Sequence, residues 1–161
     1  MKRMIPFLIM IAFCAACAGK REFDKNVAIE IKFAQTSKTD LKKDTYTLFY
    51  LSKPPLEIKL GLTEAERNRI VDAWYSLELD RLSGQTTVWD NCHSMPKIFT
   101  VIRASTATHS QEITIDAHCE DFFFFNAKKA ERVKKFLKLV RDIILSRPAV
   151  RDAPKSDVFY M

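Results

Sequence analysis

From Val27 to Phe33 the chain alternates: Val27, Ile29, Ile31 and Phe33 are separated by Ala28, Glu30 and Lys32. That is the period of two of a half-buried strand, because successive side chains point to opposite faces. Residues 36–44 are polar and charged and read as a turn. Thr45 to Ser52 then carries β-branched and aromatic residues, a second strand expected to pair with the first as a hairpin. Pro54-Pro55 stops it, and Leu56, Ile58 and Leu60 alternate in a third short strand that closes at Gly61.

The period then changes. Thr63-Glu64-Ala65-Glu66 spells a capping box, in which a hydroxyl and a carboxylate satisfy backbone donors at a helix start. Ile70, Val71, Trp74 and Leu77 follow on one face. Residues 83–96 read as a long loop. Two further strands are expected at 97–104 and 111–117, joined by the polar turn 105–110. Asn126 is the expected cap of a last helix, whose Ala130, Val133, Leu137, Val140 and Ile144 recur at helical spacing, with Phe136 and Ile143 widening the stripe. Arg147-Pro148 ends it, and residues 148–161 carry no strong element. The order β-β-β-α-β-β-α predicts an α+β fold: an antiparallel sheet of about five strands with two helices packed on one face, in a single domain over 26–147.

Ahead of this pattern stands a segment of another kind. Met1-Lys2-Arg3 is charged, the run from Met4 to Phe13 is apolar, and Cys14-Ala15-Ala16-Cys17-Ala18-Gly19 is small. A spanning helix needs about 20 apolar residues, and this run is shorter, so it reads as an export signal and not as part of the fold. Ala15-Ala16-Cys17 resembles the lipobox of bacterial lipoproteins. The resemblance covers only the signal segment and implies cleavage after residue 16, with Cys17 carrying a diacylglyceryl group and an N-acyl chain. Residues 17–25 would then be the lipidated cysteine and its tether. The implied location is the cell envelope, and Ala18, where an aspartate often marks retention at the inner membrane, points to the outer membrane facing the periplasm. Cleavage before Gly19, at Ala16-Cys17-Ala18, is the alternative and would give a secreted or soluble periplasmic protein.

An oxidising compartment changes how the cysteines read. With Cys14 lost and Cys17 acylated, Cys92 and Cys119 remain, flanking the predicted 97–117 hairpin where its open ends meet. They are expected to form a disulfide, worth about 3 to 3.5 kcal/mol for a loop of this length. His93 and His118 lie beside them and offer an alternative, a metal-binding module. No cofactor is expected. Only Gly19, Gly61 and Gly84 are present, so there is no dinucleotide fingerprint, P-loop or nucleophile elbow.

Charge is concentrated on the last helix. Lys128, Lys129, Arg132, Lys134, Lys135, Lys138 and Arg141 face only Glu131 and Asp142, a net +5 in a chain whose formal charge is +6. Most of these cations lie opposite the apolar stripe, as on any solvated helix face. Their sharper reading is an anionic-surface contact through Lys128, Arg132, Lys134, Lys135, Lys138 and Arg141, towards headgroups or an envelope polyanion. Nucleic acid is excluded by export and by the lack of interleaved aromatics. Phe122 to Phe125, four consecutive phenylalanines, are either buried at the strand-to-helix junction or a recognition patch. Together these features predict a non-enzymatic envelope lipoprotein with a binding or structural-accessory domain, attached to the membrane through lipid. The alternatives are the metal module and an inhibitor or immunity-type protein acting on an envelope enzyme.

Overall fold

A computed structural model of the protein describes residues 24–82, 85–88, 97–116 and 124–158. The fold is α+β. Seven strands, β1 (Ala28–Phe33), β2 (Ser37–Asp40), β3 (Thr45–Leu48), β4 (Leu56–Lys59), β5 (Gln85–Val88), β6 (Phe99–Ser105) and β7 (Ser110–Asp116), form one sheet in the order β4-β3-β2-β1-β6-β7-β5. Two long helices, α1 (Glu64–Ser76) and α2 (Phe124–Leu145), a 3-10 turn at Leu79–Arg81 and a one-turn helix, α3 (Pro148–Arg151), are the helical elements among the described residues.

The sheet is larger than expected and it is mixed. Ser37–Asp40, expected as part of a turn, forms β2 between β1 and β3, so the first two predicted strands do not pair with each other. β2 escapes a hydrophobicity pattern because its buried positions are Ser37 and Thr39. Gln85–Val88, expected as loop, forms β5 and pairs with β7 in parallel, with Val88 beside Ile115. Four residues with one aliphatic side chain give too little period to recognise. Every other neighbouring pair is antiparallel. The two edge strands, β4 and β5, are consecutive in sequence, so the chain crosses from one edge of the sheet to the other by way of α1.

Register puts the apolar side chains on one face. Ile31 stands beside Ile102, and Ile102 beside Ile113, all fully buried; Ile29 pairs with Ala104 in the neighbouring row. Ile70, Trp74 and Tyr75 of α1 and Val133, Phe136 and Val140 of α2 cover this face in a single core. The Trp74 and Phe136 rings meet edge to face at 5.4 Å and 68°, which locks the two helices together. The opposite face carries exposed Lys32 and Arg103 and is open to water, as an antiparallel sheet allows. There Arg103 bridges Glu112 at 2.8 Å and Glu30 at 3.6 Å, and the hydrogen bond it donates to Glu112 first, then the charge of that carboxylate, holds the guanidinium above its ordinary pKa.

The start of α1 follows its sequence closely. Thr63 Oγ1 accepts from the Glu66 N–H, and the Glu66 carboxylate accepts from the Thr63 N–H at 2.9 Å. Just before it, Gly61 sits at φ +62, a conformation that side chains disfavour. Asp44 ties this corner to the sheet. Its carboxylate accepts the N–H groups of Gly61 and Leu62 at 3.1 and 3.0 Å and pairs with Arg67 at 3.0 Å.

α2 begins at Phe124, so Asn126 lies inside the helix and is not its cap. The tail adds more than expected. Val150 of α3 is buried, and residues 154–157 strap onto the segment after β3. Asp157 accepts from the N–H groups of Leu51 and Ser52 and from the Ser52 hydroxyl; Tyr50 donates to the Pro154 carbonyl at 2.7 Å and Ser156 to the Phe49 carbonyl at 2.6 Å.

Candidate functional site

The apolar stripe of α2, from Ala130 through Val133, Phe136 and Val140 to Ile144, is fixed against the sheet, and the helix period then decides where each cation goes. Lys134, Lys138 and Arg141, at i, i+4 and i+7, run down one flank of the stripe. Arg132 stands on the other flank, towards α1, and Lys128 and Lys135 lie further round on that side. The six candidate contact residues therefore form no single surface.

Several of them are engaged within the chain. Arg132 pairs at 2.8 Å with Glu78, which follows α1 in a left-handed conformation (φ 54). Lys135 pairs with Glu131 at 2.7 Å and Lys138 with Asp142 at 2.6 Å, both one helical turn apart. Lys128 is exposed, and its carbonyl accepts from Arg132 Nε at 3.4 Å. Arg141 is exposed and its guanidinium meets no hydrogen-bonding or ionic partner among the described residues.

The flank that carries Arg141 overlooks a cleft. Between α2 and the ends of β1, β6 and β7 lies a hollow of about 220 Å³ lined by Phe33, Thr100, Ile115, Asp116, Lys134, Leu137, Lys138 and Arg141. A second hollow of about 140 Å³, lined by Phe33, Thr36, Ser37, Tyr46, Arg141, Ile144 and Leu145, adjoins it. Phe33 and Arg141 belong to both, so the two are one cleft with a guanidinium and an aromatic ring at its waist. Its floor is apolar, one long wall is cationic, and Asp116 is buried at the inner end. Such an arrangement offers a ligand a positively charged wall beside an apolar floor.

A larger hollow of about 440 Å³ opens under α1, lined by Val27, Leu41, Ile70 and Val71 with Lys25, Lys42 and Arg67 around it. The Arg67 guanidinium there is committed to the Leu41 carbonyl and to Asp44.

Cys17, Cys92, His93, His118 and Cys119 lie outside the described residues, as do Phe122 and Phe123; Phe124 and Phe125 belong to the first turn of α2. The strands leading to the two internal segments are paired, with Phe99 opposite Asp116 and Val88 beside Ile115. His109, in the β6–β7 turn, is exposed, with Nδ1 3.1 Å from the Thr108 hydroxyl. Among the described residues no three His, Cys, Asp or Glu side chains gather as metal ligands, and no helix is long and apolar enough to cross a membrane. Compared with known proteins, the chain matches no family model, no curated protein sequence and no solved structure.

The cationic wall was legible as a basic helix. Phe33, Thr100, Ile115 and Tyr46 were not legible as its opposite wall, because nothing in their own segments says which helix flank they will meet.

Proposed function

We propose that the protein is a cell-envelope lipoprotein, held by acylated Cys17 at the outer membrane facing the periplasm, whose α+β domain serves as a non-enzymatic binding or accessory module. The observation that carries this reading is the run from Met1 to Gly19: a charged start, a short apolar stretch and Ala15-Ala16-Cys17. The layout of the domain supports it. β1 starts at Ala28, so ten residues separate the cysteine from the sheet. At about 3.5 Å per extended residue the domain stays within about 40 Å of the headgroups. A basic helix whose Arg141 has no partner among the described residues then works close to an anionic surface, where each cation near the membrane contributes about 1 kcal/mol.

Palmitate incorporation tests the anchor. Cells given labelled palmitate should acylate this chain and fail to acylate a Cys17→Ser variant; an unlabelled wild-type chain, or equal labelling of both, overturns the reading.

A further inference from the structure

We propose that the cleft between α2 and the ends of β1, β6 and β7 is a binding site for the phosphodiester head of an anionic phospholipid, with Arg141 as the residue that grips the phosphate. The inference rests on the envelope reading only for the source of the ligand; the chemistry of the site stands by itself.

Three features select this ligand. The first is charge. Lys134, Lys138 and Arg141 line the cleft, against Asp116 in its wall and Asp142 beside Lys138, which leaves a single positive charge. One phosphodiester matches that, whereas a doubly charged anion would not be neutralised. The Lys138–Asp142 pair is exposed and one turn apart, a contact worth only a few tenths of a kcal/mol, so Lys138 can turn to a ligand at little cost.

The second is the guanidinium. Arg141 is the cation at the waist of the cleft, it has no partner among the described residues, and its planar fork matches two oxygens of one phosphate. The third is the apolar lining. Phe33, Ile115 and Leu137 floor the first hollow, and Tyr46, Ile144 and Leu145 carry the apolar path outward to Leu145, which is 46% exposed. A free phosphate or sugar phosphate gains nothing from that surface. A lipid does, because its glycerol ester and first methylenes replace water there at about 0.8 kcal/mol per buried CH₂. The first hollow, about 220 Å³, has room for a phosphoglycerol head at about 30 Å³ per water-sized group.

The test uses the full mature chain and short-chain dihexanoyl phosphatidylglycerol below its micelle concentration, followed by calorimetry. One lipid should bind per chain. Arg141→Gln should weaken binding by about 10- to 100-fold, the usual consequence of losing a charged hydrogen-bonding partner, while Lys128→Gln, on the far flank, should leave it within about twofold. Dihexanoyl phosphatidylcholine should bind at least about tenfold more weakly, since its choline cation meets Lys134 and Lys138. Because Arg141 is exposed and packs no core, the thermal melt of Arg141→Gln should match that of the wild type.

Equal losses from Arg141→Gln and Lys128→Gln would mean diffuse attraction to a charged helix and would overturn the site. Equal binding of glycerol 3-phosphate and the lipid would overturn the lipid assignment, as would equal binding of the two lipids. The probe is soluble, so its failure to bind leaves the Cys17 anchor standing, and an unacylated chain that still binds it leaves the cleft standing.

Discussion

Thr39 lies on the core face of β2 at 0% exposure, beside Ile31, and its hydroxyl has no hydrogen-bond partner among the described residues. A buried hydroxyl that has given up water without a replacement is a net loss, so an isosteric apolar side chain should do better there. Thr39→Val is expected to raise the unfolding free energy by about 1 kcal/mol, read from urea denaturation at unchanged slope. A loss of similar size would show that the hydroxyl is satisfied after all. The residue also shows why β2 escaped the sequence: a threonine on the core face looks, in one dimension, like one more polar turn residue between Lys38 and Asp40. Asp44 was hidden in the same way. Its partners Gly61, Leu62 and Arg67 are far enough along the chain that only the folded corner assembles them.

Elements with a strong local signal formed where the chain says they should. α1 has a reciprocal cap and a clear apolar face, and its start was legible to the residue. α2 was legible by its stripe, though it starts two residues before Asn126. β5 was not legible, since its position depends on β7 being available at the sheet edge. The cap of α1 also has a pH signature. Hydrogen bonds from the Thr63 N–H and hydroxyl, with smaller help from Arg147, hold Glu66 below its ordinary carboxylate pKa. A carboxylate lowered on folding contributes stability in full above its unfolded pKa and loses it as pH falls through the folded value. Glu66→Gln, which removes the titrating group and leaves the backbone donor in place, should therefore cost about 1 kcal/mol near neutral pH and flatten the fall in melting temperature below about pH 4.5. Parallel acid profiles for the variant and the wild type would remove the capping box from that transition.

At the scale of the molecule, one sheet face is sealed by two helices locked at Trp74 and Phe136, and the helix that carries the positive charge leaves one flank uncovered over the strand ends. The charge itself was legible from residues 128–141, but its division between two flanks was not. That division follows from which way the stripe of α2 turns to meet Phe33, Thr100 and Ile115. Ion pairing to Glu78, Glu131 and Asp142 takes up Arg132, Lys135 and Lys138, while the Arg141 guanidinium at the cleft has no partner among the described residues. The biological sense of that cleft depends on where the domain is held, and so on Cys17. Intact-mass measurement of the mature chain from the envelope fraction tests this most directly. A lipoprotein gives a chain running from Cys17 to Met161 carrying one diacylglyceryl group and one further acyl chain; a chain beginning at Gly19 with no acyl group, or an unprocessed one beginning at Met1, would contradict it.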